Sequence, residues 1–125
     1  MALISFDFDD TLLRTRPDED WGLVNCGPNV PIIAAMHAHV VMGDTIIIVT
    51  SRSEADETTV RPQGWPPFVP VSAFVAEHTL PVSAIHFTNG EDKAPTLEAL
   101  GVTKHFDDDQ DELDLLPPHI EGVLA

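Results

Sequence analysis

Two short apolar runs constrain the fold of this chain more than any other feature. Residues 45–49 have the sequence Thr-Ile-Ile-Ile-Val, and residues 2–8 form a second apolar run that acids end. Because no polar residue interrupts the isoleucines, the first run is typical of a parallel strand that is buried on both faces. The sequence therefore predicts a sheet that helices cover on its two sides.

Segments with helical spacing lie between the predicted strands. Residues 31–42 place apolar side chains at helical spacing after Pro31, and Gly43 follows where a helix would end. The remaining pattern predicts helices over 71–78 and 95–100, and strands over 84–88, 102–106 and 120–124. This order predicts an α/β fold with a three-layer, doubly wound (Rossmann-like), mainly parallel sheet. We expect one domain over residues 1–125.

Two segments show no regular pattern. Residues 14–31 follow the first predicted strand, and residues 53–70 follow the second and contain four prolines. In open α/β sheets ligands bind beyond the carboxyl ends of the strands, where both segments begin, so we expect substrate contacts there. Trp21, Trp65 and Phe68 in these segments could stack on a base or ring, but we expect them to pack on the body of the domain.

Carboxylates follow the first predicted strand. Asp7 and Asp9 are two residues apart, so an extended chain points both side chains the same way. At about 4 Å two like charges repel by roughly 1 kcal/mol in water and by about 4 kcal/mol at an effective dielectric constant of 20. We therefore expect a divalent cation or a shared proton beside this pair.

Three further groups come at the ends of other elements. Thr50, Ser51 and Arg52 follow the second predicted strand and can donate hydrogen bonds to an anion. Lys93 precedes the third predicted helix, and Asp107 and Asp108 follow the strand over 102–106. This set combines oxygen ligands for Mg²⁺ with donors for a phosphate group. We expect the later acids Asp109, Asp111 and Glu112 mainly to be solvated, and the scattered histidines, His105 among them, to be ordinary surface or core residues.

The four groups, in this order, resemble the motifs of the haloacid dehalogenase (HAD) superfamily of phosphatases: Asp7-x-Asp9-x-Thr11, Thr50, Lys93 and Asp107-Asp108. The resemblance implies that Asp7 is a nucleophile that forms an aspartyl-phosphate. It also implies that Asp9 protonates the leaving oxygen and then activates water.

The same resemblance implies the ligands of the phosphoryl group and of the metal. Thr50 and Lys93 would hold the phosphoryl oxygens. Mg²⁺ would be held by the Asp7 carboxylate, the Asp9 backbone carbonyl and Asp108, with Asp107 as a ligand directly or through water. Asp9 is absent from dehalogenating members of the superfamily, so its presence favours hydrolysis of phosphate esters.

The superfamily's cap domains enter after the first or third strand, and both segments are short here. The chain is therefore similar to capless members, which act on polymers or proteins or use a neighbouring subunit as a lid. Its layout resembles the phosphatase domain of phage polynucleotide kinase, with Met42-Gly43 before the second strand and the sequence Thr-Ser-Arg-Ser-Glu over 50–54. We expect a nucleotide or nucleic-acid terminal phosphate as substrate, with a small sugar or metabolite phosphate as the alternative.

A phospho-accepting signalling domain is an alternative of a different class. Receiver domains share a doubly wound sheet, a phosphorylated Asp, a Ser or Thr, a Lys and an acidic Mg²⁺ site. They carry the phosphorylated Asp at the third strand, however. Here the third predicted strand ends in Phe87-Thr88-Asn89, and the carboxylate pair lies at the first.

The net charge limits which partners are possible. Six Lys and Arg residues against 21 Asp and Glu residues leave a formal charge of −15, which disfavours broad binding to nucleic acid. Four arginines follow predicted strand ends and are candidates for substrate contact at one locally basic rim: Arg14, Arg16, Arg52 and Arg61. The single Cys26, an N-terminus without a basic region and the absence of a long apolar run favour a cytoplasmic protein without membrane contact.

Overall fold

The computed structural model describes residues 1–20, 22–65 and 68–125. The expectation for Trp21 lies outside the described residues. The strands are β1 (Leu3–Phe6), β2 (Leu13–Asp18), β3 (Gly22–Pro28), β4 (Thr45–Thr50), β5 (Val82–Phe87), β6 (Lys104–Asp107) and β7 (Glu121–Leu124). The helices are α1 (Val30–Val41), α2 (Val71–Glu77), α3 (Ala94–Leu100) and α4 (Gln110–Asp114), and Glu54–Thr58 form a 3₁₀ helix.

Five strands form a parallel sheet in the order β5-β4-β1-β6-β7. The central strand β1 pairs with β4 through Ile4 and Ile46, and with β6 through Ile4 and Lys104. After β1 the chain adds β4 and β5 on one side of it. The chain then crosses back and adds β6 and β7 on the other side of β1. This order confirms the predicted doubly wound α/β fold, and it puts the switch point between β1 and β6.

The β-branched run of β4 builds both halves of the core. Ile46 and Ile48 belong to a cluster on one face of the sheet, which contains Met36 of α1 and Phe74 of α2. Ile47 and Val49 point the other way and pack in a second cluster with Leu97 of α3. The alternation of side chains along a strand thus explains why an uninterrupted apolar run is needed here.

The prediction that residues 14–31 are irregular is wrong. Strands β2 and β3 form an antiparallel hairpin, in which Arg16 pairs with Val24 and Pro17 with Leu23. Strands β2 and β3 contain Pro17 and Pro28, which is possible because a two-stranded ribbon has open edges, where a residue without an N–H group is tolerated. Of residues 53–70, the 3₁₀ helix alone forms a regular element before α2, among the described positions.

The helices of the described residues are all too short, or too polar, to cross a membrane.

The 3₁₀ helix is joined to α2 by one carboxylate. Glu57 accepts hydrogen bonds from the backbone N–H of Val71 at 2.7 Å and of Ser72 at 3.0 Å, the first two residues of α2. Partial burial opposes ionisation, but the bonds from Ser72 and Val71 prevail and lower the pKa of Glu57 below its usual 4.5. The carboxylate therefore caps the N-terminus of α2. Pro70, which precedes α2, has no side-chain acceptor that could do so.

We predict that Glu57→Gln lowers the free energy of unfolding at pH 7 by about 0.5–1 kcal/mol, since the charge at the helix start is lost. Because the folded pKa is depressed, the contribution is complete above about pH 4.5 and disappears as the pH falls through the folded value. Denaturant titrations of both proteins between pH 3 and 7 measure this. The exposed Glu54→Gln in the same 3₁₀ helix is the control. A difference in stability between the wild type and Glu57→Gln that does not shrink from pH 7 to pH 3 contradicts the assignment.

Candidate active site

Asp7 stands at the carboxyl end of the central strand. It directly follows β1, its N–H group donates to the Phe106 carbonyl at 2.9 Å, and it is 5% exposed. The chain then turns sharply, because the Phe8 carbonyl accepts bonds from the N–H groups of Thr11 and Leu12, at 3.3 and 2.9 Å. Asp10 in this turn has a φ of 61°, a conformation that costs a non-glycine residue energy. Its carboxylate accepts hydrogen bonds from Thr15 of the hairpin, which hold the turn in place.

Two more carboxylates reach Asp7 from the neighbouring strand. Asp107 ends β6 and Asp108 follows it, and oxygen atoms of Asp7, Asp107 and Asp108 all lie within 4.8 Å of one another. The buried Thr11 hydroxyl lies 3.3 Å from Asp7 and 3.4 Å from Asp108. The cluster therefore forms beyond β1 and β6, the two strands that flank the switch point of the sheet.

The Lys93 ammonium lies between two of these carboxylates. Its Nζ atom is 3.0 Å from Asp7 Oδ1 and 2.7 Å from Asp107 Oδ2, and its side chain is 4% exposed. Burial lowers the pKa of Lys93, but the charge of Asp7 and the bond to Asp107 outweigh it and raise that pKa. The backbone N–H of Lys93 donates to Glu112 of α4 at 3.1 Å. Glu112 is thus a structural partner of the site, and the expectation that it is merely solvated is wrong.

His105 is a part of the site that the sequence analysis missed. Its Nε2 atom lies 2.8 Å from Asp107 Oδ2, and its Nδ1 atom lies 2.7 Å from the Ser5 hydroxyl, all of them buried. Burial acts to raise the pKa of Asp107, but the His105 bond and the Lys93 ammonium hold it well below its usual range. The spacing of His105 and Asp107 indicated this contact in the sequence, since residues that are two positions apart on a strand lie on the same face.

The electrostatics of this cluster suit a divalent cation. Burial, which the Lys93 ammonium only partly offsets, raises the pKa of Asp7 to about 8. Burial and the charge of Asp107 also raise the pKa of Asp108. Three carboxylates thus face one ammonium, and their hard oxygen atoms are of the type that Mg²⁺ prefers. The residues present therefore fit such an ion, with Asp7, Asp107 and Asp108 as its side-chain ligands.

Asp9 lies in a different environment from Asp7. The Arg52 guanidinium donates two hydrogen bonds to the Asp9 carboxylate, from Nε to Oδ2 at 2.8 Å and from Nη2 to Oδ1 at 2.7 Å. The guanidinium also donates to the Val69 carbonyl at 2.6 Å and packs between the rings of Phe8 and Phe68, 4.8 and 4.4 Å from their centroids. The Asp9 carboxylate is therefore paired with a guanidinium, whereas the Asp7 carboxylate faces the Lys93 ammonium.

The hydroxyl groups after β4 occupy two positions. Thr50 is fully buried, and its Oγ1 atom accepts a bond from the Arg52 N–H at 3.2 Å. Ser51 is exposed and lines the acidic cleft, a depression of about 180 Å³. The acidic cleft is lined by Asp7, Asp9, Asp10, Ser51, Lys93, Asp107, Asp108, Asp109 and Glu112.

A second depression of about 290 Å³, the side cleft, adjoins the first. It is lined by Asp9, Asp10, Thr15, Asn25, Arg52, Asp56, Arg61, Phe68 and Val69. Of the four candidate arginines, Arg52 and Arg61 therefore lie at a cleft. Arg14 instead donates to Asn29 at 3.0 Å and Arg16 lies 4.0 Å from Asp18, and neither lines these clefts. Their role in substrate contact stays a prediction, since β2 places both residues on the hairpin and outside the lining of these two clefts.

Comparison with known proteins supports the fold. No protein-family model and no curated protein matches the sequence. The structure is similar to a chain of a solved structure described as "Structure of Pnkp1/Rnl/Hen1 complex", with a TM-score of 0.67 and 15% sequence identity. The match covers 99% of this chain but 45% of that one. At this identity the likeness establishes the shared fold alone.

We predict that Mg²⁺ raises the melting temperature of the protein by several degrees. An ion that binds only the folded state stabilises it by about 2.7 kcal/mol at 100 times its dissociation constant. Asp108→Asn removes the exposed carboxylate of the cluster but keeps an oxygen atom that can accept from Thr11, and it is expected to abolish most of the shift. Thermal denaturation with 0 and excess Mg²⁺ measures both, with Asp111→Asn on α4 as the charge-matched control. Equal Mg²⁺-induced shifts of the melting temperature in Asp108→Asn and Asp111→Asn would contradict the metal site.

Proposed function

We propose that this chain is a Mg²⁺-dependent phosphomonoester hydrolase of the HAD type that works through an aspartyl-phosphate. The observation that carries the proposal is the Asp7 carboxylate, which is buried at the end of the central strand and lines an open cleft. It lies 3.0 Å from the Lys93 ammonium and within 4.8 Å of Asp107 and Asp108. A carboxylate that is held next to an ammonium and lines an open cleft is suited to attack phosphorus.

In the first step an Asp7 oxygen would attack the phosphorus atom of the ester. The new bond from Asp7 to phosphorus forms as the bond from phosphorus to the leaving oxygen breaks. Asp9, which also lines the acidic cleft, would give its proton to that oxygen and so release an alcohol.

In the second step water would attack the phosphorus of the aspartyl-phosphate. Asp9 accepts a proton from this water, the bond from Asp7 to phosphorus breaks, and inorganic phosphate leaves. Arg52 holds the Asp9 carboxyl group through both oxygens and would therefore orient it for the proton transfers of both steps. Arg52 is therefore proposed to orient Asp9 rather than to contact the phosphoryl group.

The phosphoryl oxygens need positive charge and hydrogen-bond donors in both steps. Lys93 and Ser51 line the acidic cleft and would supply an ammonium and a hydroxyl group. The predicted role of Thr50 requires its hydroxyl proton to reach the phosphate from a fully buried position, where its oxygen accepts a bond from Arg52. When bound, Mg²⁺ supplies positive charge at the transferring group. Asp7, Asp108 and the Asp9 carbonyl would hold the ion, with Asp107 directly or through water.

We propose a nucleotide or nucleic-acid terminal phosphate as substrate. The resemblance of the motifs to the phosphatase domain of phage polynucleotide kinase supports this class. The likeness in fold to a chain of the Pnkp1/Rnl/Hen1 complex is compatible with it. The side cleft beside Asp9 also provides room for a leaving group larger than a simple alcohol.

Hydrolysis of p-nitrophenyl phosphate tests the mechanism. We predict turnover that requires Mg²⁺ and that falls on the order of 10³-fold or more in Asp7→Asn, which keeps the shape of the side chain but removes the nucleophile. Asp111→Asn is expected to keep full activity. A lack of metal-dependent turnover on any phosphate ester, or full activity of Asp7→Asn, would refute the mechanism. A phosphorylated protein that lasts for minutes would indicate a signalling domain instead.

The role of Arg52 is tested separately. Arg52→Lys keeps the charge but loses the fork that binds both oxygens of Asp9, so we predict a fall in kcat of roughly tenfold to a hundredfold. KM is expected to change far less, because Arg52 is proposed not to touch the phosphoryl group. Steady-state kinetics give both constants, and circular dichroism checks the fold. A change confined to KM would assign Arg52 to substrate binding.

A further inference from the structure

The side cleft continues from the acidic cleft at the Asp9 side. Asp9 and Asp10 line both depressions, so they form the wall that the two clefts share. Arg61 and Phe68 also line the side cleft, and both border a neighbouring depression with Trp65. A substrate whose phosphate lies at Asp7 would therefore extend its leaving group past Asp9 into the side cleft.

Flat groups line the side cleft. The Phe68 ring has the Arg52 guanidinium 4.4 Å and the Arg61 guanidinium 5.3 Å from its centroid. Arg52 is fixed by Asp9 and by the Val69 carbonyl, and it thereby holds Phe68 against the body of the domain. Arg61 is half-buried and lines the side cleft next to Phe68. Planar guanidinium and aromatic groups are the usual platforms on which nucleobases stack.

We propose that the side cleft binds the base of a single nucleoside, with the plane of Arg61 beside Phe68 as its stacking platform. The polar residues Asn25 and Thr15 line the same cleft. This inference rests on the proposed phosphatase function and narrows its substrate to a mononucleotide. A volume of about 290 Å³ is at the lower end of the range for small-molecule sites, which suits one nucleoside.

The charge of the side cleft argues against a longer chain. Its carboxylates are Asp9, Asp10 and Asp56, and its cations are Arg52 and Arg61. The pair of Asp9 and Arg52 cancels, so the remaining groups leave the cleft slightly acidic. Asp56 belongs to a 3₁₀ helix that also carries Glu54 and Glu57. A second phosphate beyond the nucleoside would meet these acids, whereas a neutral base would not.

Turnover of substrates with and without a base tests the proposal. The adenosine 3′- and 5′-monophosphates are compared with ribose 5-phosphate. We expect kcat/KM for one of the two nucleotides to be at least tenfold higher than kcat/KM for ribose 5-phosphate. Arg61→Gln and Arg61→Lys should both lower kcat/KM for that nucleotide to the value that the same variant shows for ribose 5-phosphate, which has no base. Lysine keeps the positive charge but lacks the planar guanidinium group. If Arg61→Lys keeps the preference for the nucleotide, stacking on Arg61 is refuted.

Lys104→Gln is the matched control for the loss of a cation beside a ring. Lys104 lies 5.3 Å from the Phe106 centroid, as Arg61 does from Phe68, but it starts β6 at the opposite end of the strand from Asp107. We expect this variant to keep the preference for nucleotides. A phosphorylated oligonucleotide that is turned over tenfold faster than the mononucleotide would refute the limit to one nucleoside.

Direct binding separates this proposal from the proposed chemistry. Isothermal titration of adenosine, which carries no phosphate, is expected to give equal affinity for the wild type and for Asp7→Asn, and at least tenfold weaker binding for Arg61→Gln. Adenosine binding without turnover of any ester would refute the phosphatase and keep the base site. Turnover of esters without preference for a base would refute the base site and keep the phosphatase.

Discussion

The contact of one buried ammonium with two buried carboxylates is the interaction on which the site depends. Lys93 comes from the start of α3, Asp7 from the end of β1 and Asp107 from the end of β6, and their side chains are all at most 7% exposed. Removing one member of such a buried set leaves an uncompensated charge, which is strongly destabilising. The contact therefore fixes α3 against the switch point of the sheet, and His105 and Glu112 support it from β6 and α4.

A second cation gives the two aspartates of the first turn different properties. Asp7 meets Lys93 in a buried setting, and its pKa is raised to about 8, whereas Asp9 is bound through both oxygens by Arg52 at the rim. Carboxylates whose environments differ in this way can take different roles in one reaction. Arg52 also contacts Val69 and Phe68, so the group that orients Asp9 builds the wall of the side cleft.

The parallel sheet and the residues at its edge could be predicted from the sequence. The isoleucine run of β4 required cover on both faces, and Asp7, Lys93 and Asp107 followed from strand and helix ends. The hairpin of β2 and β3 could not be predicted, since its prolines are tolerated only because a two-stranded ribbon has open edges. His105 was overlooked because a single histidine shows no motif, although its spacing from Asp107 puts both on one face of β6.

The sequence by itself determined which side chains reach the carboxyl edge of the sheet, because strand periodicity and chain order set that edge. Only the tertiary structure decided how the charges pair there. Asp9 meets Arg52 across 43 positions of sequence, and Lys93 meets Asp107 across 14. Such pairs depend on distances and burial, which no local pattern encodes, since an ion pair's energy changes several-fold with its depth below the surface. The side cleft arises for the same reason, where Arg61 and Phe68 meet the turn after β1.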